Sequence, residues 1–296
     1  MTAGGSGSGA SARARMLAGV PAAERMLRAG GVRTAILEAG DGPPLVLLHG
    51  GIECGGPVWA PVIRSLAERS RVIVPDLPGF GESDPVDDLF DAFGDWFRDL
   101  VSQTCSQPPA LVAHSLGGSL AAGLGARHGA LLRRLVLYGS PALGPYRLPL
   151  GLRLVAMRFA LRPTPKNSER FERWAFRDYD AVRARDGEWL DAFSAEGRTR
   201  ARDPRIRTAM RRLIAGGIKR VPDAELREIP VPTELIWGRN DRFVPLALAE
   251  GASSRLGWPL HVVDETGHVP HIERPGAFER MLVTALGSSP SASAAA

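Results

Sequence analysis

Lysine is almost absent from this chain. Lys166 and Lys219 are the only two, so arginine supplies the other 35 of its 37 basic residues. Those arginines are scattered among 32 acids rather than massed in a tail, so the net charge of +5 does not mark a nucleic-acid partner, and none is expected. Cysteine is equally scarce: Cys54 and Cys105 cannot build a disulfide framework and lack metal-ligand spacing, which leaves two reduced thiols. No uninterrupted apolar run approaches the roughly 18 residues of a membrane span. Arg13 and Arg15 precede Met16-Leu17-Ala18-Gly19-Val20 as in a leader, but Pro21 and Glu24 cut the apolar stretch short, so a cytoplasmic protein is expected. There is no G-K-[ST] phosphate loop, and the Gly4 to Gly9 repeat has no strand before it, so no cofactor is expected.

What is present is an ordinary globular composition, 44% hydrophobic and 23% charged, in which short β-rich runs alternate with helical stretches. That alternation predicts an α/β protein, a mostly parallel, doubly wound sheet covered by helices. Glu24 to Arg28 and Val32 to Glu38 flank Gly30-Gly31 as an opening hairpin. Leu45 to Leu48, Arg71 to Val74, Ala110 to Ala113 and Leu135 to Tyr138 read as buried strands, with Thr233 to Trp237 and Leu260 to Val263 as two more. Helices are expected over Val58 to Glu68, Asp88 to Ser102, Leu116 to Arg127, Leu246 to Leu256 and Ala277 to Leu286. Residues 1–15 and 287–296, rich in Gly, Ser and Ala, cannot offset their own ordering entropy and read as disordered tails. Between residues 142 and 229 no strand is legible. That helical, Arg-rich stretch predicts an insertion over the carboxyl edge of a sheet built from residues 16–141 and 230–286.

The strongest local signal is Leu111-Val112-Ala113-His114-Ser115-Leu116-Gly117-Gly118, a buried strand running through a serine into a glycine-started helix. A nucleophile elbow needs small residues two before and two after its serine, because the turn is tight and thrusts Oγ outward. Ala113 and Gly117 meet that demand, although Ala113 stands where the usual pattern has glycine. Taken alone the string also fits an ordinary strand-to-helix turn. Four further motifs decide: His49-Gly50-Gly51 ends a hydrophobic strand, Asp76-Leu77-Pro78-Gly79-Phe80-Gly81-Glu82-Ser83 forms a D-x-x-G-x-G-x-S string, Trp237-Gly238-Arg239-Asn240-Asp241 brings an acid after a strand, and Gly267-His268-Val269-Pro270-His271-Ile272-Glu273-Arg274-Pro275 brings a histidine after the next.

In this set and order, over about Glu24 to Leu286, the sequence resembles the α/β-hydrolase superfamily in its serine-hydrolase form with a helical cap. A serine hydroxyl is a weak nucleophile at neutral pH, so a histidine must take its proton and a carboxylate must fix that histidine's tautomer. The resemblance implies Ser115, Asp241 and His268 in those roles, in the chain order the fold uses. It also implies an oxyanion hole from the backbone N–H groups of Leu116 and Gly51. Substrate is expected to meet Ile52 and His114 beside the nucleophile and Trp174 and Trp189 in the cap. His268 and His271 are spaced like helical metal ligands, but Pro270 lies between them and no carboxylate–histidine cluster accompanies them, so no metal is expected.

The implied reaction is cofactor-independent cleavage of a small molecule, an ester, lactone or thioester, through an acyl-enzyme. A serine rather than an aspartate at 115 argues against dehalogenase or epoxide hydrolase chemistry. Carbon–carbon bond hydrolysis of ring-cleavage products uses a similar triad and is the alternative within the fold; its members often carry tryptophan after the histidine, where this chain has Val269. A hydrolase-like receptor with little turnover is the alternative outside enzymology. Oligomeric state is not legible.

Overall fold

The computed structural model describes residues 11–51, 55–204, 206–208 and 220–287. Its centre is a sheet of eight strands: β1 (Ala23–Ala29), β2 (Val32–Ala39), β3 (Pro44–Leu48), β4 (Arg71–Pro75), β5 (Ala110–His114), β6 (Arg134–Tyr138), β7 (Thr233–Gly238) and β8 (Leu260–Val263). Every residue of β3 and β5 is buried, as continuous apolar runs require when both sheet faces are covered. The spatial order is β1-β2-β4-β3-β5-β6-β7-β8. The opening hairpin pairs antiparallel and joins β4 antiparallel, with Ile36 opposite Pro75; from β4 onward every pairing is parallel. The β3, β5 and β6 register, with Leu45 beside Ala110 and Ala110 beside Arg134, brings the carboxyl ends of those strands level. The loops that carry the motifs therefore leave from one edge.

The helices expected from the sequence form with small shifts at their ends: α2 (Ala60–Ala67), α3 (Leu89–Thr104), α4 (Ser115–His128), α9 (Leu246–Leu256) and α11 (Pro275–Ala285), following α1 (Ala12–Met16) and the short α10 (Pro270–Glu273). The Asp88 carboxylate caps α3 by accepting from the Phe90 and Asp91 N–H groups, and α9 stops at Gly257 in the left-handed conformation. Between β6 and β7 the described residues hold α5 (Leu150–Leu161), α6 (Pro165–Ala175), α7 (Tyr179–Arg202) and α8 (Asp223–Arg227), and among them no strand.

One boundary needs correction. Residues 11–15, expected in a disordered tail, are folded: the Ser11 hydroxyl caps α1, Met16 is in the core, and Arg13 is buried between Glu24 (2.6 Å) and Asp76 (2.9 Å). The small-residue composition hid this, because what orders α1 is one buried guanidinium whose acid partners lie far along the chain. Of the C-terminal tail only Gly287 is described, its N–H donating to the Thr284 carbonyl at 2.9 Å; residues 1–10 and 288–296 lie outside the described residues.

Candidate active site

Ser115 follows β5 directly and opens α4 with φ at +51°. Left-handed backbone costs a residue with a β-carbon on the order of 1–3 kcal/mol, which surrounding packing must offset. Here the packing admits nothing larger than hydrogen: a β-carbon on Gly117 would stand 2.6 Å from the His49 carbonyl oxygen and 3.0 Å from Leu48 Cβ. Helix α4, buried through most of its length, thus presses against β3, and Ser115 is pushed out at the strand end with its side chain partly exposed.

His268 Nε2 lies 3.1 Å from Ser115 Oγ, and its Nδ1 lies 2.8 Å from Asp241 Oδ2. The other carboxylate oxygen of Asp241 accepts from the Phe243 and Val244 N–H groups at 2.8 and 2.9 Å. Two acceptor oxygens on Asp241 require the imidazole proton on Nδ1, so Nε2 meets the serine hydroxyl with its lone pair. The histidine ring is wholly buried between the Phe243 ring, stacked at 4.8 Å and 13°, and the His114 ring at 4.5 Å.

The loop bearing His268 is fastened from several sides. Its N–H donates to the Ala175 carbonyl at the end of α6 (2.7 Å), and its carbonyl meets His114 Nε2 at 2.9 Å. Glu273 accepts from Gly267 N–H (2.5 Å) on one oxygen and from Arg177 and Asp178 N–H (2.7 and 3.2 Å) on the other, binding the histidine loop to the insertion. Burial pushes the Glu273 pKa up to about 7, and the negative charge of Asp241 adds to that push, against the downward pull of the three N–H donors. Gly139, with φ of +58°, closes the floor: a β-carbon there would sit 2.8 Å from His268 Cε1, so any side chain would displace the imidazole.

Behind the His49-Gly50-Gly51 turn, His49 Nδ1 lies 2.8 Å from the Gly50 carbonyl while its Nε2 accepts from Leu77 N–H at 3.0 Å, tying the turn to the loop after β4. That loop is organised by Asp76, which accepts from Gly56 N–H (2.5 Å) and Glu82 N–H (2.8 Å) besides pairing with Arg13.

The structure brings Ser115, Asp241 and His268 together, with Leu116 second in α4 and Gly51 against it, where a β-carbon would meet the Leu116 side chain at 3.3 Å. Ile52 lies outside the described residues, as does Cys54. His114 differs from its expected place as a substrate contact. It is fully buried, stacked on Tyr138 at 4.3 Å and bonded to the His268 backbone, so it is a strut beneath the histidine loop. Trp174 sits on α6 against Gly151 and under the Arg242 guanidinium, and Trp189 stacks on Phe193 at 5.6 Å. Neither meets Ser115 in a described ring or hydrogen-bond contact. Phe193 does line a small cavity of about 20 Å³ with Phe159, Phe171, Phe176, Glu172 and Val269, the residue after His268. Sequence reasoning passed over Glu273 and Gly139; Glu273 stood inside the quoted histidine motif, whereas only the folded chain shows what lies over Gly139.

Residues 45–281 match the alpha/beta hydrolase family. The chain is 30% identical over 269 residues to a 2-hydroxy-6-oxo-6-(2'-aminophenyl)hexa-2,4-dienoic acid hydrolase of Metapseudomonas resinovorans, covering 86% of this chain and 88% of that one. It is 29% identical to a 2-hydroxymuconate semialdehyde hydrolase of Pseudomonas sp. strain CF600, covering 88% and 93%. Among solved structures, the 2-hydroxy-6-oxo-6-phenylhexa-2,4-dienoate hydrolase of Rhodococcus sp. strain RHA1 superposes with a TM-score of 0.79 at 26% identity, covering 90% of this chain and 99% of that one.

Proposed function

Because the chain belongs to the alpha/beta hydrolase family, we propose that it is a serine hydrolase of carbon–carbon bonds, acting on a 2-hydroxy-6-oxo-dienoate through an acyl-enzyme on Ser115. The observation that carries this reading is the hydrogen-bonded chain Asp241–His268–Ser115, at 2.8 and 3.1 Å, in a protein whose relatives are hydrolases of such dienoates. It reverses the order expected from sequence, where ester cleavage led.

The bond to be broken joins the ketone carbon C6 to C5. Moving the enol proton to C5 first gives the 2-keto tautomer. Ser115 Oγ then adds to C6 while His268 Nε2 takes the hydroxyl proton, and the N–H groups of Leu116 and Gly51 receive the oxyanion. Collapse of the adduct expels C5, whose electron pair delocalises through the C3–C4 double bond onto the 2-keto oxygen; the imidazolium returns its proton to this fragment. Water, deprotonated by His268, releases the acid and restores Oγ. Asp241 holds the tautomer throughout. Helices α5 to α7 act as a cap, joined to the catalytic loop through the Ala175 carbonyl, which accepts the His268 N–H. No step calls for a cofactor, and two cysteines without a framework fit a reducing, cytoplasmic setting.

Val269 favours the second reading, an ester hydrolase, because it stands where carbon–carbon hydrolases often carry tryptophan. The deciding measurement is kcat/KM for 2-hydroxy-6-oxo-6-phenylhexa-2,4-dienoate against 4-nitrophenyl esters of graded acyl length. A preference for the dienoate of about 100-fold, equivalent to about 2.7 kcal/mol of barrier, supports the proposal. The same preference for an ester overturns it, and tight binding of either without turnover would make the protein a receptor.

A further inference from the structure

Among the described residues, helix α5 is covered on only one side. It is apolar nearly all round, and a helix of that kind is normally buried on every face. Its inner face is buried: Leu152 is inaccessible, and Phe159 stacks on Phe171 at 5.5 Å, the first step of a ring series that continues through Phe243 to His268. Its outer face carries Leu150, Leu154, Met157 and Leu161, which are 69%, 53%, 55% and 71% exposed. Advancing about 100° per residue, these four fall within about 60° of arc, a single stripe along the whole helix.

Charge decides what such a stripe meets. Arg153 and Arg158 lie on its two borders, and Arg147, Arg162 and Lys166 flank its ends; all five are exposed. No acid occurs from Gly144 to Ser168. Among the described residues none of the five cations has an ion-pair partner, although arginines elsewhere in the insertion do, Arg173 with Asp180 and Arg183 with Asp191 for example. A second copy of the chain would bring the same cations against these five. The geometry points to α5 as a docking helix for an anionic lipid surface, lying in the plane of the headgroups with its stripe inserted and its arginines on lipid phosphates. Twelve residues of helix span about 18 Å, too short to cross a hydrocarbon core of about 30 Å, and among the described residues no helix is long and apolar enough to cross a membrane. Docking this way sets the insertion, and the pocket that Phe159 lines, against the bilayer.

Co-sedimentation of the full chain with vesicles of phosphatidylcholine alone, or with about one quarter phosphatidylglycerol, tests this. Binding to the anionic vesicles only, weakening as salt rises, is expected. Arg153→Gln and Arg158→Gln should each lower the partition coefficient about five-fold, and Leu154→Glu and Met157→Glu about ten-fold or more by removing a buried apolar group and adding a like charge to the lipid. All four positions are exposed, so thermal unfolding should stay at the wild-type temperature and separate lost docking from lost folding. Absence of binding, equal binding to neutral vesicles, or binding indifferent to these substitutions overturns the inference. So does a dimer in solution that Leu154→Glu dissociates, which would assign the stripe to a second copy.

Discussion

Replacing Asp241 by asparagine tests the acid assignment with almost no change in shape. Both oxygens of Asp241 accept: Oδ1 takes the Phe243 and Val244 N–H groups, and Oδ2 takes His268 Nδ1. An amide has one acceptor end, so it must choose. If its NH2 faces the two backbone N–H groups, two buried donors lose their partner, at about 1–3 kcal/mol each. If its NH2 faces His268, a change of tautomer repairs the contact. Nδ1 becomes the acceptor and the proton moves to Nε2. The second arrangement is therefore favoured, and it points an N–H at Ser115 Oγ where a lone pair is required. Turnover should fall about 10⁴-fold, as in serine-protease triads, equivalent to about 5.4 kcal/mol of barrier. The melting temperature should change little, because the backbone donors stay satisfied. Active-site titration followed by kcat/KM on the best substrate provides the measurement. A rate within about ten-fold of wild type would refute both the tautomer argument and the role of Asp241; a collapse in Asp264→Asn instead would move the acid to Asp264, which in the structure pairs with Arg239 away from His268.

Ser115→Ala should abolish both hydrolysis and covalent labelling by a fluorophosphonate, and labelling that persists at Ser119 or Ser140 would place the nucleophile elsewhere. His268→Ala should remove nearly all activity, whereas His271→Ala, which loses a buried ring bonded to the Tyr138 hydroxyl at 3.0 Å, should keep most of the rate while lowering stability by about 2–4 kcal/mol in urea unfolding; the opposite pattern would reassign the base. Glu273 has an ordinary pKa of 4.5 that the fold raises to about 7, so between those values the native state binds more protons than the unfolded chain. Its contribution to stability is full below pH 4.5 and is lost as pH rises through 7. Glu273→Gln should remove that slope from urea midpoints measured across the interval, and parallel wild-type and variant curves would contradict the burial argument.

The sheet and the three groups of the proposed triad were legible because each is written locally. A strand buried on both faces must be a continuous apolar run, as Leu45 to Leu48 and Ala110 to Ala113 are, and a tight turn must be spelled with small residues around Ser115. What was illegible is written across the chain. Arg13 reads as tail until the fold delivers Asp76 and Glu24 to it, 63 and 11 positions away. His114 reads as a pocket residue because it adjoins the nucleophile, yet strand alternation turns its ring away from solvent and onto Tyr138 of the neighbouring strand, its register partner. Glu273 reads as one letter of a motif, but its work is done on Gly267, Arg177 and Asp178, two segments that meet only once the insertion has folded over the sheet edge. The proposed nucleophile, base and acid are thus fixed by local spelling, whereas the groups that hold His268 at 3.1 Å from Ser115 come from the end of α6, β5, the turn after β6 and α10. Substitutions in that supporting shell should act on the rate through the position of His268, and the insertion, whose Ala175 carbonyl accepts the His268 N–H, belongs to that shell.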